Sequence, residues 1–305
     1  MPLSYKGYPM KTVAASILFF LFILLVTIQC NQSGRATTQL GIDSIDLAEP
    51  VPMRYMYDTA GVGLPIFYNM YLSVELSSLF ESSGAVFRQE MLNPPEKVVD
   101  YLTSSKKALN LGVFAVDLSY ARVFEQLETA GRYFNAMQRM AEELGIPSNY
   151  FENTAQRFER NINNRDSLIK IANEVYMATD QYLKENERYG AAAQVIIGGW
   201  VEAIYIACDV SMTTQDFQIM ERLAEQRYSL GNLLEMLRNY QDDMMIEQYI
   251  GELSGLQSSF DSFVIRIQES FDPNSAQGRQ EIQGYMKQIA QISQHVALIR
   301  SGIVE

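Results

Sequence analysis

The chain has 305 residues, 48% of them hydrophobic and 20% charged, with a formal net charge of −12. One histidine and two cysteines exclude a His-rich metal site, a Cys/His zinc module and a disulfide-stapled scaffold. Nine prolines and 18 glycines are too few for a β-sandwich that turns tightly every ten residues or so.

The N-terminus reads as a targeting segment rather than as fold. Lys6 and Lys11 are the only charged residues before Arg35, and the apolar run TVAASILFFLFILLVTIQ fills residues 12–29. A basic flank before a long apolar stretch is the pattern of an export signal, with the basic side retained in the cytoplasm. Cys30 follows directly, and then the polar stretch NQSGRATTQ. These residues resemble the type II signal peptide of a bacterial lipoprotein, in particular the loose signals of Bacteroidota lipoproteins. The resemblance implies lipid attachment at Cys30 and, with Asn31 rather than Asp after it, sorting to the outer membrane facing the periplasm. Thr27, Ile28 and Gln29 depart from the small residues usual before such a cysteine. The alternative is an uncleaved anchor, since residues 13–28 would form a helix of roughly 24 Å. Either reading tethers the protein to a membrane on its non-cytoplasmic side.

The exported part keeps 22 of the 24 basic side chains against 36 acidic ones, a net charge of −14. It shows no basic stripe, so nucleic acid is not an expected partner. Residues 30–65 read as a tether and approach segment, broken by Gly41, Pro50, Pro52, Gly61, Gly63 and Pro65. Such a chain has an r.m.s. reach of roughly 30 Å.

Residues 66–305 read as one all-α domain, a bundle of about seven to nine helices by their apolar spacing. Start signals recur along it: Asn93 before Pro94 and Pro95, Asn149 with Glu152, Asp166, Thr213 or Thr214, and the Asp272–Ser275 break before the last helix. In residues 280–303, Ile282, Met286, Ile289, Ile292, Val296 and Ile299 recur at three- and four-residue steps, one apolar helix face. An offset of 83 lays residues 134–143 over 217–226 and residues 110–124 over 193–207. That pattern fits a duplicated helical unit of about 80 residues, and chance likeness between amphipathic helices produces the same pattern; it is not the tetratricopeptide signature. The body is thus similar to helical lipoproteins of Bacteroidota, which supplies no activity to carry over.

Residues 189–208, YGAAAQVIIGGWVEAIYIAC, contain one charge, Glu202, and the only tryptophan, Trp200. The expectation is a helix buried on all sides rather than a second membrane span, with Gly198 and Gly199 admitting a close neighbour. Its partner would be the apolar stretch around Asp117. Cys208 reads as a small buried apolar residue, having no Lys, Arg or His within ten positions.

Asp117 and Glu202 are the only acids in these two apolar stretches, and a buried carboxylate needs a partner. One reading is a ligand-binding or enzymatic pocket between the central helices, drawing on Asp117, Glu202, Trp200, Tyr120 and Tyr205. The other is structural, each acid bonding Tyr, Arg or a helix end, with Tyr120, Arg122 and Tyr205 near in sequence. No catalytic constellation, metal-ligand set or cofactor motif is evident: the single histidine, His295, rules out Glu-x-x-His pairs, and no G-x-S-x-G elbow occurs. The expected role is a non-enzymatic scaffold or binding module of the cell envelope, with an envelope protein as partner.

Overall fold

The computed structural model describes residues 79–305, except 81, 152, 162–163 and 266–270. The signal or anchor segment, Cys30 and the tether lie outside the described residues. Among the described residues the structure is all helical, as the apolar spacing predicts. It comprises eight α-helices with four short 3-10 helices and no strand. A lead-in segment, residues 88–103, contains the 3-10 turns Gln89–Met91 and Pro95–Val99. The α-helices follow as α1 (Ser104–Val123), α2 (Leu127–Glu143), α3 (Thr154–Arg160) and α4 (Arg165–Glu185). Then come α5 (Tyr189–Thr214), α6 (Phe217–Leu237), α7 (Met244–Ser262) and α8 (Ala276–Val304).

The helix starts are set by short polar side chains that satisfy otherwise orphaned N–H groups. Thr103 accepts from the Lys106 amide at 3.2 Å to open α1. Ser275 accepts from the Gly278 amide at 2.9 Å to open α8. Several caps differ from expectation by a few residues. Asn164, not Asp166, caps α4 by accepting from the Ser167 amide. Asp216 caps α6 through the Gln218 and Ile219 amides, whereas Thr213 and Thr214 belong to the last turn of α5 and donate back to Val210 O. The carboxylate directly preceding Phe217 takes the cap because its Oδ1 accepts from both amides at once. Asn93 caps nothing: Pro94 precedes the short 3-10 turn, and the Asn93 side chain points into the core.

At the centre α1 lies along α5. A Cβ on Gly112 would stand 2.0 Å from the Val195 carbonyl oxygen, and one on Gly198 would stand 1.9 Å from the Leu109 carbonyl oxygen. The two backbones therefore touch, at positions only glycine can occupy. This is the close approach expected of Gly198, with Gly112 as its counterpart on α1. Around this pair pack α2 against α1, α8 against α5, and α6 with α7 on a further side of α5. α5 is long and apolar enough to cross a membrane, yet 89% of its most apolar window is buried inside the protein. It is the core helix of the bundle, and of its two acids, Glu202 and Asp209, Glu202 is fully buried.

Trp200 is wedged between α5 and its neighbours. Its indole N–H donates to Ser229 Oγ of α6 at 3.0 Å, and its ring lies 6.1 Å from that of Phe260 on α7. The apolar face predicted for α8 is the buried one: Ile282, Ile289, Ile292, Val296 and Ile299 are at most 9% exposed. Met286 is half-buried at its edge.

The offset of 83 carries α1 onto α5, but it carries Leu127, the start of α2, onto Val210 inside α5. The 26-residue α5 outruns the 20-residue α1, so equivalent apolar patterns fall at different places along their helices. Residues 134–143 close α2, whereas residues 217–226 open α6.

Candidate functional site

A polar cluster sits where α1, α5 and α8 meet beneath the lead-in segment. Asp117 and Glu202 are each fully buried. Glu202 receives Arg300 from α8 end-on: Nε donates to Oε2 at 2.6 Å and an Nη donates to Oε1 at 2.8 Å. The same Nη also donates to the Met91 carbonyl at 2.9 Å. The guanidinium lies 4.3 Å from the ring centroid of Tyr205, a cation–π contact one helical turn from Glu202. Burial opposes the charge on Arg300, but Glu202 and then Asp117 hold its pKa above the ordinary value.

Asp117 is held differently. The Asn93 amide donates to its Oδ2 at 3.1 Å, while Oδ1 meets no N–H donor. Asp117 shares the buried interior with Glu202, which is likewise fully buried. Desolvation first, and then the charge of Glu202, push the Asp117 pKa well above the carboxylate range. Burial thus favours the neutral form of Asp117, while Glu202 faces the Arg300 guanidinium.

Neutral polar groups continue the network. Asn93 Nδ2 donates to Tyr101 Oη at 2.8 Å and to Asn110 Oδ1 at 3.0 Å, and the Tyr133 hydroxyl donates to the Asn93 carbonyl at 2.8 Å. Burial pushes the Tyr101 hydroxyl up to about 12. Asn110 Nδ2 donates to the Ile303 carbonyl, and the Tyr101 hydroxyl donates to that of Val304. Lys106 Nζ reaches the Gly302 and Ile303 carbonyls, and Lys97 Nζ reaches Val304 O. These cations meet the negative end of the α8 dipole, where positive charge is stabilising.

Of the residues singled out from the sequence, the fold brings together Asp117, Glu202 and Tyr205. Trp200 points instead to Ser229 and Phe260. Tyr120 faces the start of the lead-in, where its hydroxyl accepts from the Arg88 amide and its ring lies 5.5 Å from that of Phe87. Cys208 is fully buried, with its thiol pKa raised by desolvation. His295 packs near Gly255 of α7. Cys30 lies outside the described residues.

Sequence reasoning missed Arg300, Asn93, Asn110, Tyr101 and Tyr133. Two had a signal. Asn110 is the one polar residue besides Asp117 in the apolar run 108–118 of α1, and Arg300 follows Val296 by four residues, which sets it beside the apolar face of α8. The partners near in sequence were the wrong place to look, because the true one arrives from 98 positions away. Among the described residues no group of three or more His, Cys, Asp or Glu side chains could hold a metal ion. As arranged, the carboxylates face the protein's own cation and amides, and the cluster joins four segments of chain. No family model, curated protein or solved structure matches the chain.

Proposed function

We propose that the protein is a membrane-tethered lipoprotein of the cell envelope whose helical body serves as a non-enzymatic scaffold or binding module. The observation that carries this reading is the run from Lys6 and Lys11 through the apolar residues 12–29 to Cys30. A basic flank, an apolar stretch and a cysteine at its end suit export followed by acylation, and the net charge of the remainder suits a body kept soluble beside a membrane. The pairing of both Glu202 oxygens with Arg300 supports a structural body: a ligand entering between α1 and α5 would have to displace Arg300 from Glu202. The outer-membrane face towards the periplasm and an envelope protein partner belong to the same proposal.

The test is fatty-acid labelling and fractionation of the wild-type chain and a Cys30→Ser variant in a bacterial host. Acylation at Cys30 predicts label in the wild type only, with loss of the mature mass in the variant. A wild-type chain that remains membrane-bound, unlabelled and of unprocessed mass replaces the lipid with an uncleaved helix. A chain found in the cytoplasm overturns the proposal. Crosslinking on intact cells followed by affinity purification then asks for a stoichiometric envelope partner.

A further inference from the structure

α5 suits two environments. Its 26 residues form about 39 Å of helix, and by length and composition that helix could cross a membrane. In the folded body it is instead the buried core. Glu202 stands at its middle, with 13 residues of the 26 before it and 12 after.

Stability does not account for an acid there. The folded body answers Glu202 with Arg300, which donates to both carboxylate oxygens at 2.6 and 2.8 Å. Both charges lose their water on burial, and apolar side chains filling the same space commonly match or better a buried ion pair. Breaking the pair is costly, but building it gains little, so its presence asks for another reason.

We propose that Glu202 acts during export: it keeps α5 from lodging in the membrane as a span, and Arg300 makes the acid tolerable once the body folds. This rests on the export reading above. A chain passing outward through a membrane can be arrested at any long apolar stretch. A charge at the centre of the stretch disfavours arrest by on the order of a hundredfold, because hydrocarbon offers it neither water nor a counter-ion. Asp209, the other acid of α5, lies nearer the end of the helix, where the cost of a charge is smaller. The flanks act in the same direction. A span arrested here would leave its C-terminal side in the cytoplasm, the side that favours Lys and Arg. Lys184 and Arg188 instead lie just before α5, and no Lys or Arg follows until Arg222. Outside the membrane the acid has its partner: α8 brings Arg300 to it, while Gly112 of α1 and Gly198 let the two central backbones close.

The experiment joins a phosphatase that folds only outside the cytoplasm to the C-terminal end of the full chain. Four chains are compared in a bacterial host: wild type, Glu202→Met, Arg300→Met and the double variant. Pulse-labelled chains are also tested for protection of the phosphatase when protease is added to spheroplasts, which reads topology before a misfolded chain is cleared. Wild type and Arg300→Met should be exported alike, since their α5 sequences are identical. Glu202→Met and the double variant should hold the phosphatase in the cytoplasm, the ratio of exported to retained chain falling on the order of a hundredfold. Arg300→Met is the control for folding, because it strips Glu202 of its cation and leaves α5 unaltered. Export of the double variant as complete as that of the wild type overturns the role of Glu202. Retention of Arg300→Met equal to that of Glu202→Met also overturns it, because topology would then follow folding. A wild-type phosphatase held in the cytoplasm overturns the export reading itself, and this proposal with it, so the wild-type chain alone tells the two failures apart.

Discussion

Arg300 and Glu202, on α8 and α5, form a two-point ion pair at 2.6 and 2.8 Å in which Glu202 has no exposed surface. The pair joins the last helix to the core helix, so removing either partner leaves an uncompensated buried charge. Glu202→Gln and Arg300→Met should each cost about 3–5 kcal/mol in urea unfolding. The double change to Met at both positions should cost clearly less than the sum, because the unpaired charge disappears with its partner. Additive losses would mean that the two side chains do not act as a pair.

The backbone contact between α1 and α5 makes a sharper demand. Gly112→Ala and Gly198→Ala place a methyl about 2 Å from a carbonyl oxygen that belongs to a packed helix. Each should destabilise by at least about 2–3 kcal/mol, with overpacking as the cause. Gly284→Ala on the outer part of α8 meets nothing within 4 Å. It should be neutral or stabilising by up to about 1 kcal/mol, since alanine is the better helix former. Circular-dichroism melts of the three variants test both halves of this contrast.

The buried tryptophan offers an optical probe. Trp200 donates to Ser229 Oγ, which itself lies within bonding distance of the Gln226 carbonyl and Gln226 Oε1. Ser229→Ala leaves the indole N–H without its partner and should cost about 1–3 kcal/mol. The native emission should remain that of a buried indole, because Trp200 is 1% exposed and its ring stays packed by Phe260. A red-shifted native spectrum would show the site to be more open than described.

Cys208 is enclosed on all sides, and desolvation raises its thiol pKa. It should not react with a thiol reagent in the native protein near neutral pH and should react once in denaturant. Fast native labelling at this position would contradict the packing of α5.

Much of the fold was legible from spacing alone. The three- and four-residue steps in residues 280–303 define the face that α8 buries, and the near-absence of charge in residues 189–208 marks the core helix. Both are local properties of the chain, because a helix aligns every third and fourth residue whatever surrounds it. Cap positions were less legible. Asp216 and Asn164 each compete with neighbours of similar capacity, and geometry a residue or two away chooses between them.

The site divides along the same line. That Asp117 and Glu202 needed partners followed from their isolation in apolar sequence, since a lone buried carboxylate is too costly to persist. Which partners they have was a matter of tertiary structure. Arg300, Asn93 and Asn110 converge from three separate segments, and Asp117 and Glu202 are both buried because α1 and α5 pack backbone to backbone. Trp200 and Tyr120, near these acids in sequence, turn to other neighbours because successive helical positions face different directions. Sequence by itself determined the all-helical class, the buried core helix and the need for charge compensation. The tertiary structure decided which cation answers which carboxylate, because long-range pairing depends on how helices cross and not on the residues next to each other in the chain.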